Sequence, residues 1–203
     1  VYKRQPIYDF FKNNGLSIGI GILAFLFLFK IGEAFLGRMS LIFYKEIGFT
    51  KSDIGIFSKG LGWITTVLFT LIGGFLTVKI GLVRSIFIAG IFMAVTNLLF
   101  SLLFWTGKNY LIFSIAVILD DLAAAFATVA FVAFISVLVN RQYTATQYAL
   151  LASIGTLGRT TLASSSGSLV DYLNGDWGLF FIITCVMVVP SLILIFFLKG
   201  KIK

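Results

Sequence analysis

"FLFKIGEAFLG", residues 27–37, places a lysine and a glutamate inside a run that is otherwise typical of a membrane interior. A charged side chain at the centre of a bilayer costs about 2.5–3.5 kcal/mol on insertion scales. Lys30 and Glu33 lie three positions apart, so a helix places them on one face. Two interpretations are open: an ion pair that helps the segment to insert, or a polar pair that faces a water-filled cavity.

The composition is that of a membrane protein. Of the 203 residues, 59% are hydrophobic and 12% are charged, whereas a soluble domain usually has about 25% charged residues. Mean hydropathy is +1.05. The sixteen lysines and arginines are scattered, so no nucleic-acid partner is expected. With no histidine and a single cysteine, Cys185, the sequence predicts neither an internal disulfide nor a Cys/His zinc site, and we expect no cofactor.

Six long apolar segments follow one another, each long enough for a helix that crosses a bilayer, which takes about 20 residues. They are 16–44, 54–78, 85–106, 110–139, 147–172 and 178–198. Unbroken runs of this length favour helices over the alternating segments of about 10 residues that build a membrane β-barrel. The prediction is an all-α transmembrane domain over 16–198, with membrane lipids around it. A cytoplasmic lead-in at 1–15, amphipathic or simply hydrated, precedes it, and a basic tail at 199–203 follows.

Basic residues outside these segments are divided unequally between the two sides. With both termini in the cytoplasm, nine lie inside and three lie outside. The inside set is Lys3, Arg4, Lys12, Lys79, Arg84, Arg141, Lys199, Lys201 and Lys203, and the outside set is Lys45, Lys51 and Lys108. Because cytoplasmic loops carry an excess of lysine and arginine, we expect a multi-pass plasma-membrane protein with cytoplasmic termini.

Charges inside the segments repeat with a period of three. In each of the triplets 16–106 and 110–198, two segments with charged residues are followed by one without. Apart from Asp171 at the end of the fifth segment, the charged residues are Lys30, Glu33, Arg38, Lys59, Asp120, Asp121 and Arg159. Two successive triplets insert in opposite orientations, as inverted repeats of secondary transporters do. The pattern predicts one six-helix half of a major facilitator fold, built from two inverted three-helix repeats.

The link between the second and third segments, "GGFLTVKIGLVRS" at 73–85, resembles a signature loop of major facilitator transporters. Its four matching positions are Gly74, Lys79, Gly81 and Arg84. The aspartate of the signature is replaced by valine and one arginine by leucine. A gating loop is one interpretation, and a tight basic turn that fixes topology is the other.

Three tracts, "DDLAAAFATVAFVAF" (120–134), "YTATQYALLASIGTLGR" (143–159) and "GDWGLFF" (175–181), resemble the C-terminal half of the AmpG-type muropeptide permeases. The similarity extends over nearly the whole chain from residue 16 onward. It implies a transporter and not an enzyme. That transporter would be a proton-driven importer of N-acetylglucosaminyl-anhydro-N-acetylmuramyl peptides in the bacterial inner membrane, serving peptidoglycan recycling. Since such permeases have about twelve helices, it also implies an N-terminal six-helix partner, in cis or in trans.

The resemblance also suggests roles for polar residues within the segments. Proton coupling falls to Glu33, Asp120 and Asp121, and substrate binding to Lys30, Lys59, Gln147 and Arg159. Adjacent aspartates differ by about 100° around a helix, so we expect one to face the cavity, and the resemblance favours Asp120. Where the family often has Glu-Asn, this chain has Asp120-Asp121.

Three other interpretations make different demands on the sequence. The chain could be a truncated or split half that transports only with its partner. An intramembrane aspartyl protease needs aspartates on two facing helices, whereas Asp120 and Asp121 are neighbours on one. A mitochondrial-type carrier needs three proline-anchored repeats, and the chain has only Pro6 and Pro190.

Overall fold

A computed structural model describes residues 5–200, with the backbone alone for Lys59 and Leu61. Within that range the chain is helical and has no strand, which confirms the predicted all-α fold. The α-helices are α1 (Gln5–Asn14), α2 (Leu16–Leu28), α3 (Ile31–Glu46), α4 (Lys51–Ile54), α5 (Leu61–Ile80), α6 (Leu82–Thr106), α7 (Tyr110–Leu138), α8 (Thr144–Ala163), α9 (Ser166–Tyr172) and α10 (Trp177–Leu198). A π-helical turn, Gly55–Gly60, joins α4 to α5, and a 3-10 turn, Arg141–Tyr143, precedes α8.

Five helical segments in the described range are long and apolar enough to cross a membrane. They are Leu16–Glu46, Lys51–Ile80, Leu82–Thr106, Tyr110–Leu138 and Trp177–Leu198. The remaining predicted segment, 147–172, is divided between α8 and α9. Its hydroxyl groups bond to carbonyls of their own helix, as Ser164 does to Thr161 at 2.6 Å. Frequent serine, threonine and glycine residues lower the hydropathy of this segment, although α8 packs within the bundle against α2 and α3.

Each triplet of helices makes nearly the same contacts with the other triplet as it receives from it. If α2 and α3 are taken as one span, the first span of each triplet packs on the second span of the other, because α2 contacts α8 and α7 contacts α5. The third spans, α6 and α10, pack on each other, and each also contacts the first span of the other triplet. This reciprocal packing is what two inverted three-helix repeats require.

The first span is broken at Phe29–Lys30, where Lys30 has φ −97° and ψ 18° and α3 begins at Ile31. The break places Lys30 at the carboxyl end of α2 and Glu33 in the first turn of α3. Helix dipoles favour a cation at a carboxyl end and an anion at an amino end. Local backbone structure therefore stabilises both charges of the sequence motif at membrane depth, and interrupted helices of this kind are typical of transporter binding sites.

One buried apolar cluster lies on each side of the helix break that carries Lys30 and Glu33. The two ends of the bundle are named below by the residues that lie there. At the basic end, where α6 begins and α10 ends, lie Lys79, Arg84 and Lys199. At the aromatic end, rings from several helices meet, with centroids such as those of Phe43 and Phe181 only 4.7 Å apart. This aromatic cluster comprises Phe43, Tyr44, Phe49, Phe57, Phe100, Phe113, Trp177, Phe180 and Phe181.

Small residues of α8 allow α2 to approach closely, as the Gly-, Ser- and Thr-rich sequence of this segment predicts. A Cβ atom placed on Gly158 would collide with the backbone of Phe27. One placed on Gly155 would lie 2.7 Å from the ring of Phe131. This contact brings Arg159, the next residue after Gly158, beside the broken first span.

Candidate functional site

The candidate site is centred on Glu33, which interacts with two cations. Lys30 Nζ lies 2.9 Å from Glu33 Oε2, and an Arg159 guanidinium nitrogen lies 3.5 Å from Glu33 Oε1. The Lys30 and Glu33 side chains are 12% and 15% exposed, whereas that of Arg159 is 49% exposed. The structure thus brings together three predicted site residues from α8 and the broken first span. One carboxylate neutralises only one of the two cations.

Lys30 has a further partner on a third span. Its Nζ donates a hydrogen bond of 2.6 Å to Thr128 Oγ1 on α7. The hydroxyl of Thr128 in turn donates to the carbonyl of Ala124 at 2.7 Å. Thr128 was missed by sequence reasoning because a threonine in an apolar helix usually bonds only to its own backbone. Lys30 therefore connects the first span to α7.

The two adjacent aspartates diverge, as the 100° step between neighbours on a helix predicts. Asp120 accepts a hydrogen bond of 3.3 Å from Thr96 on α6. Asp121 accepts one of 2.6 Å from Thr65 on α5. The two aspartates thus bond to different helices, and the choice of Asp120 as the one that faces the cavity stays a prediction.

A polar cavity of about 270 Å³ lies between α3 and α8. Its lining comprises Ala34, Gly37, Arg38, Arg159, Thr160 and Ala163. Among the described residues, its lining includes two arginines and no acidic residue, which suits an anionic group because arginine binds carboxylates in a bidentate fashion. Arg38 was not among the predicted site residues, since a basic residue near a helix end ordinarily extends to the interface. Ala34, Gly37 and Arg38 are three and four residues apart, so they lie on one face of α3. This pattern of small residues beside an arginine could have identified Arg38 as a site residue.

Gln147 lies away from this cavity, near the basic end. It is 3% exposed, donates to the carbonyl of Pro6 at 2.9 Å and to Asp9 at 3.1 Å, and accepts from the backbone of Asn140 at 2.7 Å. These bonds attach α1 to the start of α8. The side chain of Lys59 lies outside the described residues. Substrate binding by either residue stays a prediction.

The predicted gating loop forms the turn from α5 to α6. Gly81 has φ 91°, a conformation that a residue with a Cβ atom adopts at a cost. Lys79 lies over the ring of Phe75, 5.9 Å from its centroid. Arg84 lines an apolar groove beside α10. Gly74 lies on α5, where a Cβ atom would approach Val129 of α7 at 3.9 Å. A role in gating stays a prediction.

Comparison with known proteins gives relatives along almost the whole chain. AmpG 4 of Rickettsia felis, a protein named as a transporter, is 34% identical over 199 residues, which is 98% of this chain and 47% of that protein. The anhydromuropeptide permease of Escherichia coli is 32% identical over 191 residues, 94% of this chain and 38% of that protein. AmpG 1 of Rickettsia prowazekii is 31% identical over 197 residues, 96% of this chain and 44% of that protein.

The chain spans less than half the length of these curated relatives. No protein-family model matches it. The relatives are named as transporters or permeases, which agrees with the expectation of a non-enzyme. Together with the five apolar helices, these names identify a multi-pass membrane protein.

Proposed function

The chain belongs by sequence to the AmpG-type transporters, and from that premise we propose that it forms one six-helix half of a proton-coupled importer of anhydromuropeptides. The half would correspond to the C-terminal one and would lie in the bacterial inner membrane with both termini in the cytoplasm. The substrate class is suggested by the name of the Escherichia coli relative. The observation that carries the proposal is the charged group Lys30–Glu33–Arg159, held at a helix break inside the membrane domain.

In this proposal, the arginines that line the cavity attract the substrate. The Arg159 side chain is half exposed and lines the cavity together with Arg38. Lys30, Arg38 and Arg159 together carry three positive charges. Glu33 and Asp120 can neutralise at most two of them, so cations stay in excess. A glycopeptide with free carboxylates would supply the missing anion. Because Arg159 also contacts Glu33, arrival of a carboxylate at Arg159 competes with this ion pair.

Proton coupling falls to Glu33 and Asp120. Both carboxylates lie in membrane-spanning segments, Glu33 on α3 and Asp120 on α7. A proton that binds to Glu33 weakens its attraction for Lys30 and Arg159, and this frees Arg159 for the substrate. Asp121, which is bonded to Thr65 on α5, would participate through the neighbouring span.

The direct test is uptake of labelled anhydromuropeptide into proteoliposomes that contain the full chain, with and without an imposed proton gradient. We expect accumulation only when the gradient is present. Lys30→Ala and Asp120→Asn are each expected to lower uptake at least tenfold, because groups that act as a unit lose most activity when one is removed. Lys45→Ala is the matched control, since Lys45 is exposed at the aromatic end and lines neither the charged group nor the cavity.

Equal uptake with and without the imposed proton gradient would refute proton coupling. Full uptake by both variants would make the charged group structural. A drop in uptake with Lys45→Ala as large as with Lys30→Ala would show that general charge, and not this site, is responsible.

A second candidate is a half that transports only with a complementary six-helix unit. One observation favours it: the segment that contains α5 is the least buried of the five candidate spans, and large apolar side chains of α5 are exposed. Trp63, Phe75 and Val78 on this helix are 74%, 67% and 87% exposed. Lipid can cover such a face, and so can a second bundle.

Co-reconstitution separates the two candidates. The chain alone and the chain together with the N-terminal half of the Escherichia coli relative are compared in the same uptake assay. Uptake by the chain alone supports an autonomous carrier. Uptake only after co-reconstitution, together with disulfide trapping of a cysteine at position 75 to the added half, supports the dependent half. Neither result depends on whether Lys30 and Asp120 have the roles proposed above.

A further inference from the structure

We propose that the groove between the start of α6 and the end of α10 binds an anionic phospholipid. The phosphate would lie between Arg84 and Lys199, and an acyl chain would follow the groove into the membrane. This site is separate from the polar cavity between α3 and α8, and it does not depend on the proposed transport activity.

The groove has a volume of about 230 Å³. Its lining comprises Val83, Arg84, Phe87, Ile88, Ile195, Phe196 and Lys199. Ile195 is fully buried at the floor, whereas Phe196 is 64% exposed at the side. Both Arg84 and Lys199 are exposed. An apolar groove with two basic residues near the helix ends has the chemistry of a site for an amphiphile.

The spacing along both helices sets the depth of the two parts. Arg84 and Lys199 lie at the ends of their helices, where a membrane helix meets the headgroups. Phe87 and Ile195 lie three to four residues further toward the middle, which is about 5 Å at 1.5 Å per residue. A phosphate bound by the two cations would therefore place the first methylene groups of its acyl chains against these apolar side chains.

The charges of the groove are complementary to an anion. Five of its lining residues are apolar and two are basic, and within the described residues 5–200 none of the acidic side chains lines it. Basic pockets between membrane helices on the cytoplasmic side typically bind the headgroups of anionic lipids. With the orientation that the positive-inside distribution predicts, this basic end would lie in the cytoplasm, whose leaflet is the anionic one. A lipid therefore fits better than a soluble anion, which would leave the apolar channel empty.

The test is native mass spectrometry of the full chain in detergent, with equal amounts of phosphatidylglycerol and phosphatidylcholine added. We expect the chain to retain phosphatidylglycerol preferentially. In the double variant Arg84→Gln/Lys199→Gln, the ratio of bound phosphatidylglycerol to bound phosphatidylcholine is expected to fall roughly tenfold. Each basic residue near an anionic lipid contributes substantially to binding. The charge-matched control is Lys45→Gln/Lys51→Gln at the aromatic end, which should keep the preference. Circular dichroism and gel filtration confirm that each variant is folded.

A second pair of variants tests the channel without changing charge. Val83→Trp fills the groove, and Phe196→Ser removes one wall at an exposed position where misfolding is not expected. Both should reduce retention of phosphatidylglycerol, and added inorganic phosphate should not displace it. Displacement by phosphate would identify a site for a free anion and would overturn the proposal. So would wild-type retention by the two channel variants, or an equal loss in the Lys45/Lys51 control.

Discussion

The guanidinium of Arg159 on α8 lies 3.5 Å from the carboxylate of Glu33 on α3, which also lies 2.9 Å from Lys30. A single anion thus connects a helix of the second triplet to the broken first span. The side chain of Arg159 is half exposed and that of Lys30 is nearly buried, so the two cations differ in what they can reach. Lys30 is held by Glu33 and Thr128, and Arg159 is the cation available to an incoming carboxylate.

Removing both partners of the Lys30–Glu33 pair should cost less stability than the sum of the two single removals. Lys30→Met leaves a carboxylate with one poorly aligned cation, and Glu33→Gln leaves a nearly buried ammonium. Each single variant is expected to lose about 1–3 kcal/mol of unfolding free energy, the usual cost of orphaning a buried polar partner. The double variant should lose less than the sum. Denaturant unfolding in detergent micelles measures all four proteins.

Strict additivity of the two single effects would show that Lys30 and Glu33 do not interact energetically. Thr128→Val, which removes the other partner of Lys30, is the reference for the loss of one hydrogen bond to a charged group, about 1.5–3 kcal/mol.

Gly158→Ala should destabilise the bundle because the new Cβ atom would meet the backbone of Phe27. Backbone atoms cannot rotate away, so α2 and α8 must separate, and overpacking of this kind costs about 1–3 kcal/mol. Gly37→Ala is the matched control, since it lies within α3 and a Cβ atom there meets nothing within 4 Å. Thermal unfolding measures both. Equal unfolding temperatures for the two variants would contradict the close approach of the helices.

Cysteines at positions 38 and 160 should react with a membrane-impermeant thiol reagent, because both positions line the polar cavity. A cysteine at position 97 should not react, since Asn97 is 1% exposed inside the bundle. These variants are made in a Cys185→Ser background. A cysteine at position 197 tests the lipid-facing surface: Phe197 is 69% exposed, yet a thiol in hydrocarbon has no water to ionise in.

Labelling at position 197 as fast as at 38 would mean that exposure alone governs reactivity, and then no aqueous cavity is needed. Slow labelling at both cavity positions would contradict a water-accessible site between α3 and α8.

Gln147→Leu should release α1 from the bundle without affecting the charged site. The side chain loses hydrogen bonds to Pro6, Asp9 and Asn140, and buried groups left without partners cost about 1–3 kcal/mol. We expect backbone amides in 5–14 to exchange faster with deuterium, with exchange in α3 unchanged. If α1 exchanges at the wild-type rate, its apolar contacts at Phe10 suffice to hold it.

The sequence predicted the helical membrane fold because apolar length is a local property that each segment shows by itself. It also predicted that Lys30 and Glu33 lie together, since residues three apart share a helix face. It did not predict the break at Phe29–Lys30. No proline marks it, and the interruption is stabilised by charges that match the two helix ends and by α8 packed alongside.

The partners of the charged residues were beyond sequence reasoning for a different reason. Thr128 and Thr96 become hydrogen-bond partners only when α7 and α6 are packed, and a single threonine carries no pattern. Gln147 was assigned by resemblance to the substrate path, whereas its contacts lie with α1. Arg38 was overlooked because distance along the helix was used as a measure of depth, although a cavity can make a shallow residue accessible from inside.

The aromatic cluster also has a mechanical consequence. Rings from α3, α6, α7 and α10 contact one another at one end, as Tyr44 does Phe113, so we expect that end to be the fixed point when the helices tilt. A tilt of about 5° about such a pivot moves the far end of a ~20-residue helix by roughly 2.6 Å, because the helix is about 30 Å long. Tilts too small to separate the rings would therefore displace the basic end of a helix by about the size of an atom. Gln147 attaches α1 to the bundle at that end.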